Sequence, residues 1–127
     1  PDRSLDLGEE TDHLVPLNIV EALPRFGYDR EFFFKMTMQF IEHLNDRVVE
    51  LRNALEASDA RTLTRLAHSL KGASANFSAN HLTRLASQLE ELARRGDLRD
   101  APNIIAEIES EIPRVQRYFE ALETQSV

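Results

Sequence analysis

An imidazole, an ammonium group and a glycine lie within five residues of one another in the segment HSLKG, which runs from His68 to Gly72. The flanking residues have helical apolar spacing, and glycine in a helix interior costs about 1 kcal/mol relative to alanine. Residues 60–89 contain no Asp or Glu, although the whole chain has a formal net charge of −7. The cationic side chains of this window are Arg61, Arg65, Lys71 and Arg84. A histidine in such an electropositive setting is suited to a phosphoryl group.

The direction in which His68 points follows from helical rotation. At about 100° per residue, the apolar positions of this helix centre about 180° from His68; they are Leu63, Leu66, Ala67, Leu70, Ala73 and Phe77. Within about 60° of His68 lie Arg61, Thr64, Arg65, Lys71, Gly72 and Ala75. The histidine is therefore predicted on the exposed face, with an ordinary surface histidine as the alternative. Gly72 lies one turn later, where a missing side chain leaves room for a partner surface, although tight helix packing is the other interpretation.

The apolar pattern along the chain predicts the helices that position this face. They cover about residues 15–23, 29–57, 58–77, 78–96 and 100 onwards. The stripe of the second helix repeats every seven residues, at Phe34, Ile41, Val48 and Leu55. Pro113 lies inside the last helix and is expected to kink or interrupt it. Long amphipathic helices with short connections predict an all-α, antiparallel four-helix bundle with a short additional N-terminal helix.

Capping residues predict where the helices begin. Asp29 is a candidate N-cap of the second helix, with Tyr28 and Phe33 placed as a hydrophobic staple. The helix that carries His68 is expected to be capped by Ser58 or Asp59, and the next helix by Ser78.

The remaining aromatic and histidine residues have structural interpretations. Phe32, Phe33 and Phe34 are apolar on more than one helix face, so most of this segment is predicted to be core and part of it a docking surface. His43 and His81 are predicted at surface positions of their helices. Glu10-x-x-His13 is the chain's one E-x-x-H motif, whereas a di-iron bundle needs the motif twice. No metal site is therefore expected.

Composition limits the class of protein. The 127 residues suffice for one hydrophobic core, and 42% hydrophobic with 29% charged residues is typical of a soluble domain. The absence of cysteine excludes disulfides, thiolate metal sites and a cysteine nucleophile. The net charge argues against nucleic acid or an anionic membrane as partner, and no apolar run approaches the roughly 18 residues of a membrane span. Residues 1–14 are acidic and are predicted to be a tail or linker remnant, with residues 15–127 forming the helical domain.

The segment His68-Ser69-Leu70-Lys71-Gly72 resembles the motif of histidine-containing phosphotransfer (HPt) domains, the phosphoryl carriers of multistep two-component signalling. The similarity extends over about residues 15–123. It includes Ala67, the pattern Leu82…Leu85-Ala86…Leu89-Glu90, and the ARRGD end at Ala93 to Asp97. Ser78 departs from the family pattern, which often has glycine at this turn. Because serine can cap a helix, we expect little consequence.

The resemblance implies roles for the polar residues. His68 would accept the phosphoryl group on its outer nitrogen, and Glu90, 22 positions later, would bond the other ring nitrogen, with a surface glutamate as the alternative. Lys71 would offset charge on the phosphoryl oxygens. Receiver domains of response regulators would dock on the same face, with contacts to Arg61, Thr64, Arg65, Gly72, Ala75 and Arg84. No cofactor is expected on this chain, because any Mg²⁺ would belong to the receiver.

The predicted function is a phosphocarrier that relays phosphoryl groups between receiver aspartates through His68, and not an autonomous enzyme. The acidic N-terminal segment and the first residue, Pro1, favour the C-terminal module of a hybrid sensor histidine kinase. Such a module is expected to be cytoplasmic, monomeric in isolation and without direct membrane contact, and tethering to a membrane-anchored sensor is left open. The alternative from another class is a helical scaffold domain whose basic patch binds an acidic partner. A phosphatase of receivers would need a residue that positions water, and none is identifiable.

Overall fold

The chain is helical through most of the part that the structure describes. The structure is a computed structural model that describes residues 15–125. Its elements in chain order are α1 (Ile19–Ala22), a 3₁₀ turn (Leu23–Phe26), α2 (Arg30–Glu42), α3 (Leu44–Glu56), α4 (Ala60–Asn76), α5 (Asn80–Arg94) and α6 (Ala101–Gln125). The described range contains no strand. The predicted all-α bundle with a short additional N-terminal helix is confirmed.

The bundle is built around the helical hairpin of α4 and α5, the pair with the most extensive contact. α6 packs against both α5 and α3, and α3 packs against α4, so these four helices enclose the core. Each contributes side chains with almost no exposure, among them Leu51, Leu63, Leu89 and Ile105. This arrangement buries one side of α4 and leaves the opposite side in solvent.

The helix predicted over residues 29–57 is divided at His43 into α2 and α3. The backbone N–H of His43 donates to the carbonyl of Phe40 at 3.2 Å, the spacing of a 3₁₀ turn. The ring nitrogen Nδ1 of His43 also lies 2.7 Å from the carbonyl oxygen of Gln39 and competes for it with the backbone. The apolar stripe continues across the division at Ile41 and Leu44, both buried, so the bundle wall is unbroken.

Aspartates cap the two helices that begin at the predicted N-caps. Asp29 accepts the backbone N–H of Phe32 at 3.0 Å, as predicted. Asp59, rather than Ser58, caps α4 by accepting the backbone N–H of Thr62 at 3.0 Å. Hydrogen bonds from the side chain and backbone of Thr62 lower the pKa of Asp59. The beginning of α4, eight residues before His68, is therefore well defined.

Ser78 does not cap α5, contrary to the sequence-based prediction. α5 follows Ala79, which makes no side-chain cap, and Ser78 is fully buried with a φ of +52°. This left-handed conformation favours glycine, so the serine carries a conformational cost. Its hydroxyl is in contact with Arg25, which also donates to the carbonyls of Ala75 and Asn76, both at 3.0 Å. The buried contact explains what holds a serine in this turn.

The hydrophobic staple predicted between Tyr28 and Phe33 is wrong. Tyr28 is 72% exposed, and the ring that packs against Phe33 belongs to Phe26, at a centroid distance of 5.3 Å. Phe33 is fully buried, in agreement with its predicted core position, whereas Phe32 is 47% exposed. Phe26 also stacks on Phe77, at 5.4 Å, and this contact joins the N-terminal segment to the end of α4.

The longest helix, α6, runs without interruption through Pro113, so the predicted break does not occur. Pro113 is exposed, while its neighbours Ile112 and Val115 are buried and hold the helix against the bundle. The carbonyl four residues earlier belongs to exposed Glu109, where water can replace the missing backbone hydrogen bond. No helix within residues 15–125 is long and apolar enough to cross a membrane.

Candidate functional site

His68 lies on the solvent face of α4 because the apolar residues of the same helix occupy the opposite face. Leu63, Ala67 and Leu70 are at most 1% exposed, whereas the side chain of His68 is 68% exposed. His68 is eight residues from each end of α4, so its backbone is held by complete helical turns. The predicted outward direction of the ring is confirmed.

Glu90 on α5 is the polar residue on which the site is centred. Its side chain is only 6% exposed, yet three groups contact the carboxylate. Nδ1 of His68 lies 2.8 Å from Oε2, Nζ of Lys71 lies 2.6 Å from Oε1, and Nη2 of Arg94 lies 2.9 Å from Oε2. The contact predicted between His68 and Glu90 is therefore present, and Glu90 is not an ordinary surface residue.

These neighbours keep Glu90 ionised. The hydrogen bond from Lys71 is the main cause that lowers the pKa of Glu90, and the bond from His68 acts in the same direction against desolvation. An ionised carboxylate only accepts hydrogen bonds, so Nδ1 of His68 must carry the proton in this contact. In the neutral ring the lone pair then belongs to Nε2, the nitrogen available to a reacting group.

Lys71 contacts the carboxylate of Glu90 instead of extending into solvent. Its side chain is 33% exposed, and the ammonium lies between α4 and α5. The helical pattern predicts Lys71 on the face of His68 but gives no contact between Lys71 and Glu90. The structure thus brings His68, Lys71 and Glu90 into one cluster.

A shallow groove of about 590 Å³ extends from His68 towards the beginning of α4 and the end of α5. Three of the predicted partner-binding residues line it, namely Arg61, Thr64 and Arg65. The α5 side of the groove adds Arg94 and Arg95. The hydroxyl of Thr64 donates to the carbonyl of Ala60 at 2.7 Å, so this side chain is turned towards its own helix.

Gly72 and Ala75 extend the exposed face of α4 in the other direction. A Cβ atom added at Gly72 would meet nothing within 4 Å beyond the neighbouring backbone of its own helix. Tight helix packing therefore does not explain the glycine, because no neighbouring element approaches it. The open space agrees with the prediction that a partner surface has room to approach here.

Arg84 is the predicted partner-binding residue that the structure does not bring to this face. It is exposed on α5, six residues before Glu90. Helical rotation places it about 120° from Glu90 around α5. Arg84 was predicted at the site because it lies in the segment 60–89, which has no Asp or Glu. That criterion uses position in the sequence, whereas the face on which a side chain lies is set by helical rotation.

Arg94 is a residue of the site that the sequence pattern did not indicate. Its guanidinium contacts both Glu90 and Glu91, at 2.9 and 3.0 Å. The available signal was the i,i+4 spacing between Glu90 and Arg94, which places the two on the same helix face. The burial of Glu90, which makes this pair part of the site, could not be read from that spacing.

The other histidines lie away from the cluster. His43 is exposed at the junction of α2 and α3, as predicted. His81 is half-buried rather than at the surface, because α6 packs against α5 and forms a cleft there with Glu107, Glu111 and Arg114. Between residues 15 and 125, no group of at least three His, Asp or Glu side chains could hold a metal ion. His13 and Glu10 lie outside the described residues.

The comparisons with known proteins agree with this geometry. The Hpt domain family model matches residues 35–118, more than half of the chain. The chain is similar to the structure of histidine-containing phosphotransfer protein B (HptB) from Pseudomonas aeruginosa PAO1, with 31% identity and a TM-score of 0.79 over 87% of this chain and 96% of that chain. It is also similar to the HPT domain of an Hpt sensor hybrid histidine kinase from Shewanella, with 23% identity and a TM-score of 0.71 over 88% and 97% of the two chains. No curated protein matches it.

The fold and the site together define a helical-bundle domain with an exposed histidine over a buried carboxylate. The chain belongs to the Hpt domain family. Its function is a phosphotransfer role in two-component signalling. Hpt domains pass phosphoryl groups to the receivers of response regulators.

Proposed function

We propose that His68 is the residue through which this chain takes a phosphoryl group from the aspartate of one receiver domain and passes it to another. The observation that carries the proposal is the exposed imidazole whose Nδ1 lies 2.8 Å from the buried carboxylate of Glu90. With the proton held at Nδ1, Nε2 presents its lone pair to an incoming group.

The reaction moves the phosphoryl group from an oxygen to a nitrogen. The lone pair of Nε2 attacks the phosphorus of the aspartyl phosphate, and the bond between Nε2 and phosphorus forms. The bond between phosphorus and the aspartate oxygen breaks, and the aspartate leaves as a carboxylate. The phosphorylated ring is cationic and keeps its proton at Nδ1, which stays hydrogen-bonded to the carboxylate of Glu90. The reverse step returns the group to a receiver.

Lys71 supplies a cation for the transferred group. Its ammonium lies 2.6 Å from Glu90, one helical turn from His68 on the same side of α4. The flexible stem of lysine allows the ammonium to turn from Glu90 to the phosphoryl oxygens when the group arrives. There it offsets the negative charge spread over those oxygens.

The receiver docks on the exposed face of α4. Arg61, Thr64 and Arg65 flank His68 on one side, and Gly72 and Ala75 continue the face on the other. The arginines complement an acidic partner surface. The absent side chain at Gly72 leaves space for that surface.

We also propose that the chain needs no cofactor and that its partners are proteins. Lys71 is the cation that we propose for the phosphoryl oxygens, so the chain needs no cofactor of its own, and Mg²⁺ belongs to the receiver. The net charge of −7 supports a protein partner over nucleic acid. We propose a cytoplasmic domain that is monomeric in isolation and, where it is part of a sensor kinase, is tethered through that protein.

Replacement of His68 tests the proposal. A panel of labelled phospho-receiver domains is incubated with the wild-type protein, with His68→Gln and with His43→Gln, an exposed histidine outside the site. We expect label on the wild type and on His43→Gln but not on His68→Gln, whose free energy of unfolding should change by only about ±0.5 kcal/mol. The adduct should be acid-labile and base-stable. Label on His68→Gln would refute the assignment, and binding of receivers without uptake of label would indicate a scaffold.

A further inference from the structure

Arg94 is the one group of the cluster that neither reacts nor contacts the transferred group in the proposed reaction. Its Nη2 atom lies 2.9 Å from Oε2 of Glu90, the same oxygen that accepts the hydrogen bond from Nδ1 of His68. Lys71 contacts the other oxygen, Oε1. Arg94 also contacts Glu91 at 3.0 Å, so its guanidinium is anchored at two points on α5.

The carboxylate of Glu90 has opposite effects on a nucleophilic histidine. It orients the ring through Nδ1, but an uncompensated anion at 2.8 Å would attract a second proton to the ring, and the imidazolium has no lone pair at Nε2. A cation that neutralises the carboxylate reduces this second effect and leaves the hydrogen bond in place. Lys71 cannot do so throughout the reaction, because it is the cation that turns to the phosphoryl group.

We propose that Arg94 is a positioning residue that neutralises Glu90 permanently, so that His68 remains an unprotonated nucleophile after Lys71 has left the carboxylate. The inference rests on the proposed function of His68. It assigns different tasks to the two cations: Lys71 moves between the carboxylate and the phosphoryl group, and Arg94 stays on Oε2. With Arg94 in place, the departure of Lys71 does not leave a buried carboxylate uncompensated.

Among the charged groups around the ring of His68, one arginine offers a matched control for Arg94. Those that line the groove or contact the site are Arg61, Arg65 and Lys71 on α4, Glu90, Glu91 and Arg94 on α5, and Arg95 directly after α5. Arg95 has the same charge as Arg94, lines the same groove and is similarly exposed, at 60% against 58%. Its contact is with Glu91, at 3.9 Å, and not with Glu90. Arg95→Gln therefore removes a nearby charge without altering the carboxylate.

The first experiment follows the ring of His68 by NMR as a function of pH in the wild type, Arg94→Gln and Arg95→Gln. We expect Arg94→Gln to move the midpoint of the titration to higher pH by about half a unit, the Coulomb effect of one charge at about 6 Å in a high dielectric. Arg95→Gln should move it much less. In a Glu90→Gln background the effect of Arg94→Gln should shrink to that of Arg95→Gln. Equal shifts for the two arginine variants, or none for Arg94→Gln, would overturn the inference.

The second experiment measures phosphorylation by phosphoramidate, a small donor that needs no docking surface, as the ratio of the Arg94→Gln rate to the wild-type rate. A shift of half a unit predicts a ratio of about one third at acidic pH that rises to one at alkaline pH. A ratio that is low and constant at all pH values would mean that Arg94 contacts the phosphoryl group directly, and would overturn the inference. If phosphoramidate does not phosphorylate the wild type, the proposed function is refuted instead. The NMR titration does not depend on phosphorylation, so it tests the role of Arg94 separately.

Discussion

At the scale of single residues, the site depends on a buried glutamate. The side chain of Glu90 is 6% exposed, and its carboxylate contacts the polar ends of His68, Lys71 and Arg94. A carboxylate surrounded by two cations and one N–H donor is stable as the anion. This is why a single residue can orient the histidine and serve as a resting position for the lysine.

The lowered pKa of Glu90 predicts how stability depends on pH. Because the pKa lies below the usual value of 4.5 in the folded chain, ionised Glu90 stabilises the fold above about pH 4.5, and this stabilisation is lost as the pH falls through the folded value. Glu90→Gln cannot titrate. The difference between the free energies of unfolding of wild type and Glu90→Gln should therefore be largest near neutral pH and decrease below about pH 4.5.

Urea unfolding at a series of pH values measures this difference. Glu91→Gln is the matched control, because Glu91 is exposed and contacts Arg94 and Arg95 without being covered. A difference between wild type and Glu90→Gln that stays constant from neutral to acidic pH would contradict the prediction, since it would show that ionisation of Glu90 adds nothing to stability.

At the scale of elements, α4 is a helix with two faces that serve different purposes. Its buried face carries Leu63, Ala67 and Leu70 and joins α5 in the core. Its exposed face carries His68 and Gly72, of which the glycine weakens the helix without an intramolecular gain. A helix-weakening residue with open space around it is best explained by a partner that approaches the ring.

Gly72→Gln separates stability from docking. Replacement of a helical glycine by a better helix former should stabilise the fold by up to about 1 kcal/mol, so the melting temperature should stay equal or rise. The added side chain should nevertheless impair phosphotransfer from a phospho-receiver, mainly through weaker affinity. Phosphorylation by phosphoramidate should change much less, because this donor does not touch the docking surface.

Ala121→Gln on α6 is the control for a glutamine at an exposed helix position away from the site. It should leave transfer from both donors unchanged. If Gly72→Gln loses activity equally with both donors, the substitution has disturbed His68 itself, and if it transfers normally from the receiver, the glycine is not needed for access.

At the scale of the whole molecule, the N-terminal segment closes the end of the bundle at the turn between α4 and α5. The backbone N–H of Asn18 donates to the carbonyl of Ser78 at 3.0 Å, and Phe26 stacks on Phe77. The guanidinium of Arg25 donates to the carbonyls of Ala75 and Asn76 and contacts the Ser78 hydroxyl. The guanidinium thus adds a charged donor to the carbonyl of Ala75, which also accepts the backbone N–H of Ser78 at 3.1 Å, and to the carbonyl of Asn76 at the last residue of α4.

Arg25→Ala should therefore lower the free energy of unfolding by about 1 kcal/mol, because the charged donor no longer supports these carbonyls. Phosphorylation of His68 by phosphoramidate should be unchanged, since the contact between His68 and Glu90 involves none of these groups. Chemical denaturation measures the first effect, with Arg117→Ala, an exposed arginine on α6, expected to stay within about ±0.5 kcal/mol. Equal stability of wild type and Arg25→Ala would mean that water replaces the guanidinium without loss.

Much of this protein was determined by patterns within single helices. The outward direction of His68 followed from the apolar spacing of α4, since helical rotation is a local property. The cap Asp29 followed in the same way, and the cap of α4 was limited to Ser58 or Asp59, because a capping side chain bonds a backbone group only three residues away. The bundle itself followed from the amphipathic pattern of successive helices joined by short connections.

Apart from the pair of His68 and Glu90, which the family resemblance implied, only the tertiary structure decided which side chains meet across helices. The cluster of His68, Lys71, Glu90 and Arg94 joins α4 to α5 through contacts between residues up to 22 positions apart, and a helix pattern contains no information on that separation. The exposed Tyr28, the left-handed Ser78 and the unbroken helix at Pro113 have the same origin. In each case, packing or contacts with residues elsewhere in the bundle outweigh a local conformational preference of about 1 kcal/mol or more.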